Sequence, residues 1–304
     1  KREYKNNERY LLLGEEYTDN AEKLRTILDK YNGTAFEGFT GDEVLSGIDP
    51  TKGTELCAVV EQMYSYEEIF AHTGDNKWAE RLEALAFNAL PATISEDMWT
   101  HQYVQQVNQI ACQKTMIMAP WSTNGPYAHT FGLEPNYGCC TANFNQGWPK
   151  FALSPFMHNE NKIINAVMLP SVLNDNGVTI KLETNYPFEN KMHYYIDADK
   201  SFDFVIRIPS FAKNLKVNGE KAEVKDLEFS IKIGKTEIQL EFETIPYLKE
   251  RPNNLYALQA GSLLFSVPIE YEKQMREYTK KGVERKSPYC DYEFIPKTPW
   301  NYGF

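Results

Sequence analysis

The residues best suited to chemistry in this chain are two adjacent cysteines, Cys139 and Cys140. Neighbouring Cα atoms are about 3.8 Å apart across a trans peptide bond, whereas an unstrained disulfide usually needs about 5.5–6 Å. The two thiols are therefore poor partners for each other, but neighbouring thiolates can share one soft metal ion. Glu55 and Cys57 offer further donors, and one carboxylate with three thiolates is a suitable tetrahedral zinc set.

Glu55 and Cys57 are two positions apart, and residues with that spacing do not face the same side of a helix. Both can bind one ion only if Glu55 lies at or before the first helical turn, which the turn at residues 49–53 favours. The alternative is that Cys57 is a small buried hydrophobic residue and Glu55 a favourable first-turn acid. The adjacent cysteines weigh against this alternative, because paired buried thiols are uncommon unless something uses them.

Three thiolates and a carboxylate would close the coordination sphere of zinc, and closed sites are usually structural. A closed site can still be catalytic if one ligand is itself the nucleophile, because metal binding keeps the sulfur deprotonated at neutral pH. Such a thiolate could attack an electrophilic carbon directly.

Other acids bear comparison with the cysteine cluster. Asp42 and Glu43 lie in a glycine-flanked turn, and an acid in such a turn could serve as a general acid/base if its pKa is raised, with a solvated turn carboxylate as the equal alternative. Glu83 lies within a predicted helix, where a solvated face is the ordinary expectation. The five histidines show no metal-ligand spacing and are predicted to be surface or structural residues.

Helices must position these groups in the first half of the chain. Apolar residues at helical spacing predict a helix over 54–73, with Gly74 as its C-cap and Asp75 as the N-cap of a second helix that continues to about Pro91. So short a turn predicts antiparallel helices. A further helix is predicted over 20–30. Antiparallel helix pairs indicate a helical bundle or an α/α toroid.

Residues 98–150 are less periodic and rich in Asn, Gln, Gly and aromatic residues. Long irregular segments in compact domains are often functional. The aromatic side chains suit stacking on sugar rings, although half or more are expected to belong to the core. They are Trp99, Tyr103, Trp121, Tyr127, Phe131, Tyr137 and Trp148.

The second half changes to a two-residue period, which predicts half-buried antiparallel strands. The alternating runs are 178–182, 202–208, 227–233 and 238–242. Asn218-Gly219 predicts a type I′ hairpin. Many short strands favour a β-sandwich, so we expect one domain over 1–156 and a second over 157–304.

Composition limits the classes of function. The 304 residues carry a formal net charge of −10, which argues against binding of nucleic acid or an anionic membrane surface. No apolar run reaches about 20 residues, so no membrane-spanning helix is expected. Five cysteines are an odd number and do not resemble a disulfide framework. The start of the sequence contains no apolar signal segment, and the compartment stays open.

Four short motifs occur in the order found in a known family. They are Gly41-Asp42-Glu43, Gly53-Thr54-Glu55-Leu56-Cys57, Phe87-Asn88-Ala89-Leu90-Pro91 and Gly138-Cys139-Cys140-Thr141-Ala142-Asn143. On these motifs the chain resembles the β-L-arabinofuranosidases of glycoside hydrolase family 127 and its close relatives, over about residues 38–151. The resemblance implies an α+β multidomain fold, with part of an α/α barrel followed by an antiparallel β-sandwich.

The resemblance also implies a carbohydrate substrate and a retaining mechanism, in which cysteine replaces the usual carboxylate nucleophile. By position, Cys139 corresponds to the nucleophile and Glu43 to the general acid/base. Glu83 and Tyr103 correspond to positions that contact the sugar.

The zinc ligands implied by the resemblance are Glu55, Cys57, Cys139 and Cys140. The Thr141 that follows the cysteines stands where the best-known members have proline, which leaves the sugar and the linkage open.

Family members usually have a longer N-terminal portion that supplies about half of the barrel and several sugar-binding histidines. On this comparison the chain is an N-terminally incomplete member, so either it is truncated or the missing part comes from elsewhere. An open half-barrel would expose apolar helix faces, and we therefore expect association with another chain that completes the barrel. The alternative function is a non-catalytic carbohydrate-binding or structural fragment of such an enzyme.

Overall fold

The computed structural model describes residues 2–3, 8–115, 125–132, 137–159, 162–223 and 226–300, with side chains from residue 20 onward. It has an α+β fold in which the helices precede most of the strands. Trp121, one of the aromatic residues singled out above, lies outside the described residues. Within the described part of the chain, no helix combines the length and apolar character needed to cross a bilayer.

The helices lie in the first half of the chain. They are α1 Glu8–Asn32, α2 Leu56–Thr73, α3 Asn76–Ala84, a π-helical turn Leu85–Ala89, α4 Leu90–Ala92 and α5 Gly138–Ala152. The helix predicted over 54–73 is confirmed as α2, and the one predicted over 20–30 is the last part of the longer α1. α3, the π turn and α4 follow one another without a break, as the second predicted helix requires.

The turn between α2 and α3 follows the predicted capping. Gly74 is left-handed, with φ 65°, and its N–H donates to the carbonyl of Phe70 at 2.8 Å. The Asp75 side chain accepts a hydrogen bond from the N–H of Lys77 at 3.1 Å. Both predicted caps are confirmed, because each depends only on residues within one turn.

Two short strands in the helical half were not predicted. β2, Gly53–Glu55, pairs antiparallel with β3, Val104–Gln106, and Glu55 lies opposite Val104. The strands approach closely at Gly53, where an added Cβ would lie 2.0 Å from Val104 Cγ1. Glycine is therefore required at this position, directly before the candidate ligands.

The strands with the predicted alternation form two large sheets. The strands are β1 Arg2–Glu3, β4 Phe156–Asn159, β5 Lys162–Asn165, β6 Ser171–Asp175, β7 Val178–Thr184, β8 Lys191–Ala198, β9 Phe202–Arg207, β10 Lys213–Val217, β11 Glu220–Lys221, β12 Asp226–Ile231 and β13 Gly234–Glu243. One sheet has the order β1-β4-β5-β9-β12, and the other has the order β11-β10-β13-β8-β7-β6. All four alternating runs are strands, so that prediction is confirmed.

The predicted strands have antiparallel partners, since β9 pairs antiparallel with β12, and β7 and β13 each pair antiparallel with β8. The five-stranded sheet as a whole is mixed, however, which departs from the predicted antiparallel sandwich. β5 pairs with β9 in parallel, and β1 pairs with β4 in parallel. Alternation reports which face of a strand is buried and says nothing about the direction of its neighbour.

Apolar side chains from both large sheets belong to one buried cluster. Phe204 and Ile206 come from the five-stranded sheet, whereas Ile180, Tyr194 and Leu240 come from the six-stranded sheet. The rings of Tyr194 and Phe204 meet edge to face, with centroids 5.4 Å apart. The hairpin at Asn218-Gly219 is confirmed, since both residues have positive φ, 50° and 84°.

The last part of the chain forms three small sheets outside the two large ones. Its strands are β14 Tyr247–Arg251, β15 Leu255–Ala260, β16 Leu263–Leu264, β17 Tyr271–Arg276, β18 Tyr278–Lys280, β19 Val283–Arg285 and β20 Asp291–Pro296. β14, β15 and β16 form one sheet, β17 pairs with β20, and β18 pairs with β19. The division at 156/157 falls within β4 and stays a prediction.

Glu83 of α3 joins the helical and β-rich parts of the molecule. Its carboxylate is 0% exposed, forms an ion pair with Arg207 of β9, and accepts hydrogen bonds from Tyr186 Oη at 2.6 Å and Ser262 Oγ at 2.8 Å. The expectation of a solvated helix face is therefore wrong. A helical period cannot reveal this burial, because the partners of Glu83 come from the distant β-rich half.

Candidate metal centre

The N-termini of α2 and α5 bring the cysteines together. The two helices pack closely at Gly147, where an added Cβ would lie 3.1 Å from both Val60 and Leu90 side chains. Cys57 is the second residue of α2 and Cys139 the second of α5. The meeting of the two helix N-termini therefore gathers these sulfur atoms at one place.

The sulfur atoms lie at distances that suit one shared ion. Cys140 Sγ lies 3.6 Å from Cys57 Sγ and 3.9 Å from Cys139 Sγ, and Cys139 Sγ lies 4.0 Å from Glu55 Oε1. All four donor atoms lie within 4.8 Å of one another. Tetrahedral zinc with Zn–S bonds of about 2.3 Å would place sulfur atoms about 3.8 Å apart. The donor set and its spacing therefore fit zinc.

Glu55 meets the condition set by its spacing from Cys57. It precedes α2 with extended backbone, φ −66° and ψ 140°, so its side chain does not follow the helical rotation. Its N–H donates to the carbonyl of Gly41 at 2.9 Å, and the N–H of Leu56 donates to the carbonyl of Tyr103 at 2.9 Å. These bonds hold the Gly41 loop and β3 against the start of α2.

The four donors differ in exposure. Cys140 is 0% exposed, Glu55 and Cys57 are half-buried, and Cys139 is exposed. Cys139 is therefore the thiol of this cluster that a molecule from solvent can reach.

Crowding of acidic groups shifts the pKa values in the cluster. Burial raises the pKa of Glu55 to about 8, and nearby Cys57 and Glu43 add to the effect. The hydrogen bond with Cys140 lowers the pKa of Cys57, whereas burial raises the pKa of Cys139 and the hydrogen bond with Cys57 raises that of Cys140. Ionising one thiol thus opposes ionisation of its neighbours, and a divalent cation would relieve that repulsion.

Glu43 and Tyr103 adjoin the cluster. Glu43 is exposed, and Tyr103 Oη donates to Glu43 Oε1 at 3.4 Å. The Tyr103 ring stacks on Tyr137, with centroids 4.1 Å apart and planes 7° apart. Tyr137 immediately precedes α5, so these contacts link Glu43 to the helix that carries Cys139.

The structure adds two residues whose contacts at the site the sequence patterns did not predict. An Asn143 side-chain hydrogen bond contributes to lowering the pKa of Cys57. His101 is buried and its Nε2 lies 2.8 Å from Thr141 Oγ1. Helical spacing could have pointed to Asn143, which lies one turn beyond the cysteines. His101 lies in an irregular segment, where no period reveals its direction.

The aromatic residues of the irregular segment have different environments. Trp99 packs edge to face against Tyr289, and Phe131 against Phe294. Trp148 packs against the helical core. A narrow recess is lined by His101, Tyr103, Tyr127, Thr130, Gly132, Tyr137 and Asp291. Three of the seven aromatic residues therefore share one surface beside the cysteine-bearing helix.

Of the residues predicted to act at the site, the structure brings together Glu55, Cys57, Cys139 and Cys140, with Tyr103 and Glu43 beside them. Glu83 is placed elsewhere, because its carboxylate is enclosed by the partners described above, none of which is a metal-centre donor.

Comparison with known proteins identifies two domain families in the chain. Residues 30–153 match the catalytic domain of the GH127 β-L-arabinofuranosidases, and residues 166–233 match the middle domain of the same enzymes. Together these segments cover more than half of the chain. A search of curated proteins gives no significant match.

Solved structures show the same fold. A GH127 β-L-arabinofuranosidase from Geobacillus stearothermophilus T6 is 14% identical, with a TM-score of 0.68 over 94% of this chain and 55% of its own. A structure described as a glycoside hydrolase is 16% identical, with a TM-score of 0.61 over 90% of this chain and 58% of its own. A GH127 β-arabinofuranosidase is 14% identical, with a TM-score of 0.60 over 88% of this chain and 51% of its own. The chain thus spans just over half the length of these proteins.

Proposed function

Because the chain belongs to the β-L-arabinofuranosidases of glycoside hydrolase family 127, we propose that it is a retaining glycoside hydrolase with a zinc-bound cysteine nucleophile. Its proposed substrates are β-L-arabinofuranosides or related plant-glycan sugars. One observation carries the proposal: a carboxylate and three thiols converge on one point, and among them Cys139 is exposed.

Glu55, Cys57, Cys139 and Cys140 would hold the zinc ion. When bound, the ion supplies the positive charge that keeps these sulfur atoms deprotonated at neutral pH. Cys140 is buried and serves as a ligand, whereas Cys139 is open to substrate.

The reaction has two displacements at the anomeric carbon. Cys139 Sγ attacks that carbon and forms a C–S bond, while the glycosidic C–O bond breaks and Glu43 gives its proton to the leaving oxygen. The Glu43 carboxylate then takes a proton from water, whose oxygen attacks the same carbon and expels the Cys139 thiolate. Two inversions retain the configuration.

Tyr103 has a positioning and binding role in this proposal. Its hydroxyl is within reach of Glu43, and its stacking on Tyr137 restricts its ring. We assign no sugar contact to Glu83, because a carboxylate that is 0% exposed and enclosed by Arg207 has no free face for a ligand.

The proposal includes the architecture implied by the family. The helices would be part of an α/α barrel over residues 1–156, and the two large sheets, apart from β1 and the first residue of β4, would form a β-sandwich over residues 157–304. Association with another chain to complete the barrel is supported by an apolar stripe on α1. Leu24, Ile27 and Tyr31 share one helical face and are 62%, 54% and 56% exposed.

A non-catalytic metal site is the second candidate, since four donors complete the tetrahedral sphere that is typical of structural zinc. Three measurements separate the two candidates. They are metal analysis, hydrolysis of 4-nitrophenyl β-L-arabinofuranoside, and labelling with a haloacetamido-arabinose, with the labelled residue identified by mass spectrometry. Catalysis predicts one zinc per chain, a label on Cys139 and loss of turnover in Cys139→Ser. Undiminished hydrolysis by Cys139→Ser would exclude the proposed nucleophile, and bound zinc without turnover or label would favour the second candidate.

A further inference from the structure

We propose that the outer face of the six-stranded sheet is an accessory binding site for an uncharged oligosaccharide. The site is a groove of about 900 Å³, formed mainly by β6, β7, β8 and β13 together with the loop between β7 and β8. This volume lies in the range of about 300–1,000 Å³ that is typical of small-molecule sites. No metal-centre residue lines it in the described part of the chain, so it is a separate site.

Strand alternation explains why many polar side chains line the groove. Leu182, Met192 and Leu240 turn their side chains into the core and are buried. Their neighbours on β7 and β8, such as Lys181 and His193, therefore face outward. The polar side chains that line the groove are Ser171, Lys181, Glu183, Thr184, Asn185, Glu189, Lys191, His193, Lys216, Gln239 and Glu241. Amide, hydroxyl, amine and carboxylate groups together can donate to and accept from sugar hydroxyls.

The balance of positive and negative side chains in the groove argues for an uncharged ligand. Three lysines and three glutamates line the groove, although the whole chain carries a net charge of −10. Lys181 Nζ lies 2.5 Å from Glu183 Oε1, and Lys191 Nζ lies 3.8 Å from Glu241 Oε1. These balanced pairs leave no surplus of one sign to attract a phosphate, a polyanion or a cation.

Aromatic side chains supply the apolar part of the site. Phe188 is 82% exposed, the highest value among the exposed large apolar side chains of the described residues. Its neighbours Asn185 and Glu189 line the groove, and its N–H donates to the Asn185 carbonyl at 2.9 Å. Phe188 therefore belongs to the loop that borders the groove, and its exposed ring is available to the C–H face of a sugar held there. His193 lines the groove, and its ring stacks on Tyr195 with centroids 4.0 Å apart.

This inference does not depend on the metal centre. A glycan held on the sheet would bind equally well whether or not the chain turns over substrate. Failure of hydrolysis and failure of groove binding are therefore separate results.

Titration calorimetry on the 304-residue chain carrying Cys139→Ser, which cannot consume substrate in the proposed mechanism, tests the inference. The uncharged probes are arabinohexaose, xylohexaose and cellohexaose, and the anionic comparison is hexagalacturonate. We expect at least one uncharged probe to bind and hexagalacturonate to bind more weakly. Absence of binding by all three uncharged probes, or tighter binding of hexagalacturonate, would overturn the inference.

Variants locate the binding surface. Phe188→Ala should weaken binding about tenfold, since loss of a partly buried aromatic contact is worth about 1.4 kcal/mol. His193→Ala should also weaken it. Ile233→Ala is the matched control, because Ile233 is 71% exposed in the turn before β13 and lies outside both the groove lining and the loop between β7 and β8. Equal binding by Phe188→Ala, His193→Ala and the control, with unchanged circular dichroism, would place the ligand elsewhere and overturn the assignment.

Discussion

Cys57 Sγ lies 3.6 Å from Cys140 Sγ, although the two residues are 83 positions apart in the sequence. Both are free thiols, and the contact exists because the N-termini of α2 and α5 meet. Each helix contributes thiols, and Glu55 adds its carboxylate from the strand that precedes α2. A metal ion at this point would therefore cross-link two helices and would also keep the Cys139 sulfur deprotonated.

Removal of zinc should consequently destabilise the chain. Zinc present at a hundred times its Kd stabilises the folded state by about 2.7 kcal/mol. For a domain of about 150–250 residues, each kcal/mol of lost stability lowers Tm by about 2–4 °C. Removal of zinc by a chelator should therefore lower Tm by about 5 °C or more. Scanning calorimetry with and without EDTA measures the change. Cys140→Ser should show a much smaller response to EDTA, whereas Cys112→Ser, which removes a cysteine that is not one of the four donors, should respond like the original chain. Equal Tm values with and without bound metal would contradict the cross-link.

Zinc affinity should increase with pH. At pH 7 the raised pKa of Glu55, about 8, favours its protonated form in the metal-free cluster, and the raised pKa values of Cys139 and Cys140 favour thiols. Binding must release these protons, so the association constant should rise about tenfold per pH unit for each proton released. Competition with a chromophoric chelator at pH 6, 7 and 8 measures the slope, and proton release can be followed in weak buffer. A zinc association constant that does not change between pH 6 and pH 8 would show that the donors are already ionised in the metal-free cluster.

Glu43→Gln should lower kcat/KM by about 10²–10⁴-fold, the usual contribution of a general acid/base. The loss should be smaller for a substrate with a dinitrophenyl leaving group, because such a group departs without protonation. Asp42→Asn is the control in the same loop and should have a much smaller effect. If all leaving groups are affected equally, Glu43 does not act as the general acid.

Breaking the Glu83–Arg207 pair should strongly destabilise the fold. Removing one partner of a buried ion pair leaves an unpaired charge and costs about 3–5 kcal/mol. Urea unfolding of Arg207→Met measures this loss, and the double variant Glu83→Leu/Arg207→Met should recover part of it. Glu228→Gln removes the exposed pair with Lys162 and should cost less than about 1 kcal/mol. A similar small loss for Arg207→Met would show that the buried pair contributes little.

Gly53→Ala should weaken zinc binding without altering any ligand. Its Cβ would lie 2.0 Å from Val104 Cγ1, so β2 and β3 must separate and Glu55 must move with β2. Zinc titration should show lower affinity, and adding Val104→Ala should restore part of it by removing the contacting methyl groups. If Gly53→Ala binds zinc normally, the position of Glu55 does not depend on this strand pair.

Local patterns in the sequence determined the elements of this protein. Helical spacing and capping residues defined α2, Gly74 and Asp75, and two-residue alternation defined the long strands, because these signals arise from a residue and its near neighbours. The donor types at Glu55, Cys57, Cys139 and Cys140 were likewise visible, since a vicinal cysteine pair is chemically unusual wherever it occurs.

Only the tertiary structure decided how these elements face one another. It buried Glu83 by bringing in Arg207 from 124 positions away, paired β5 with β9 in parallel, and joined β2 to β3. It also exposed Cys139 while burying its neighbour Cys140. Burial and pairing direction depend on partners distant in the chain, so no local period contains them.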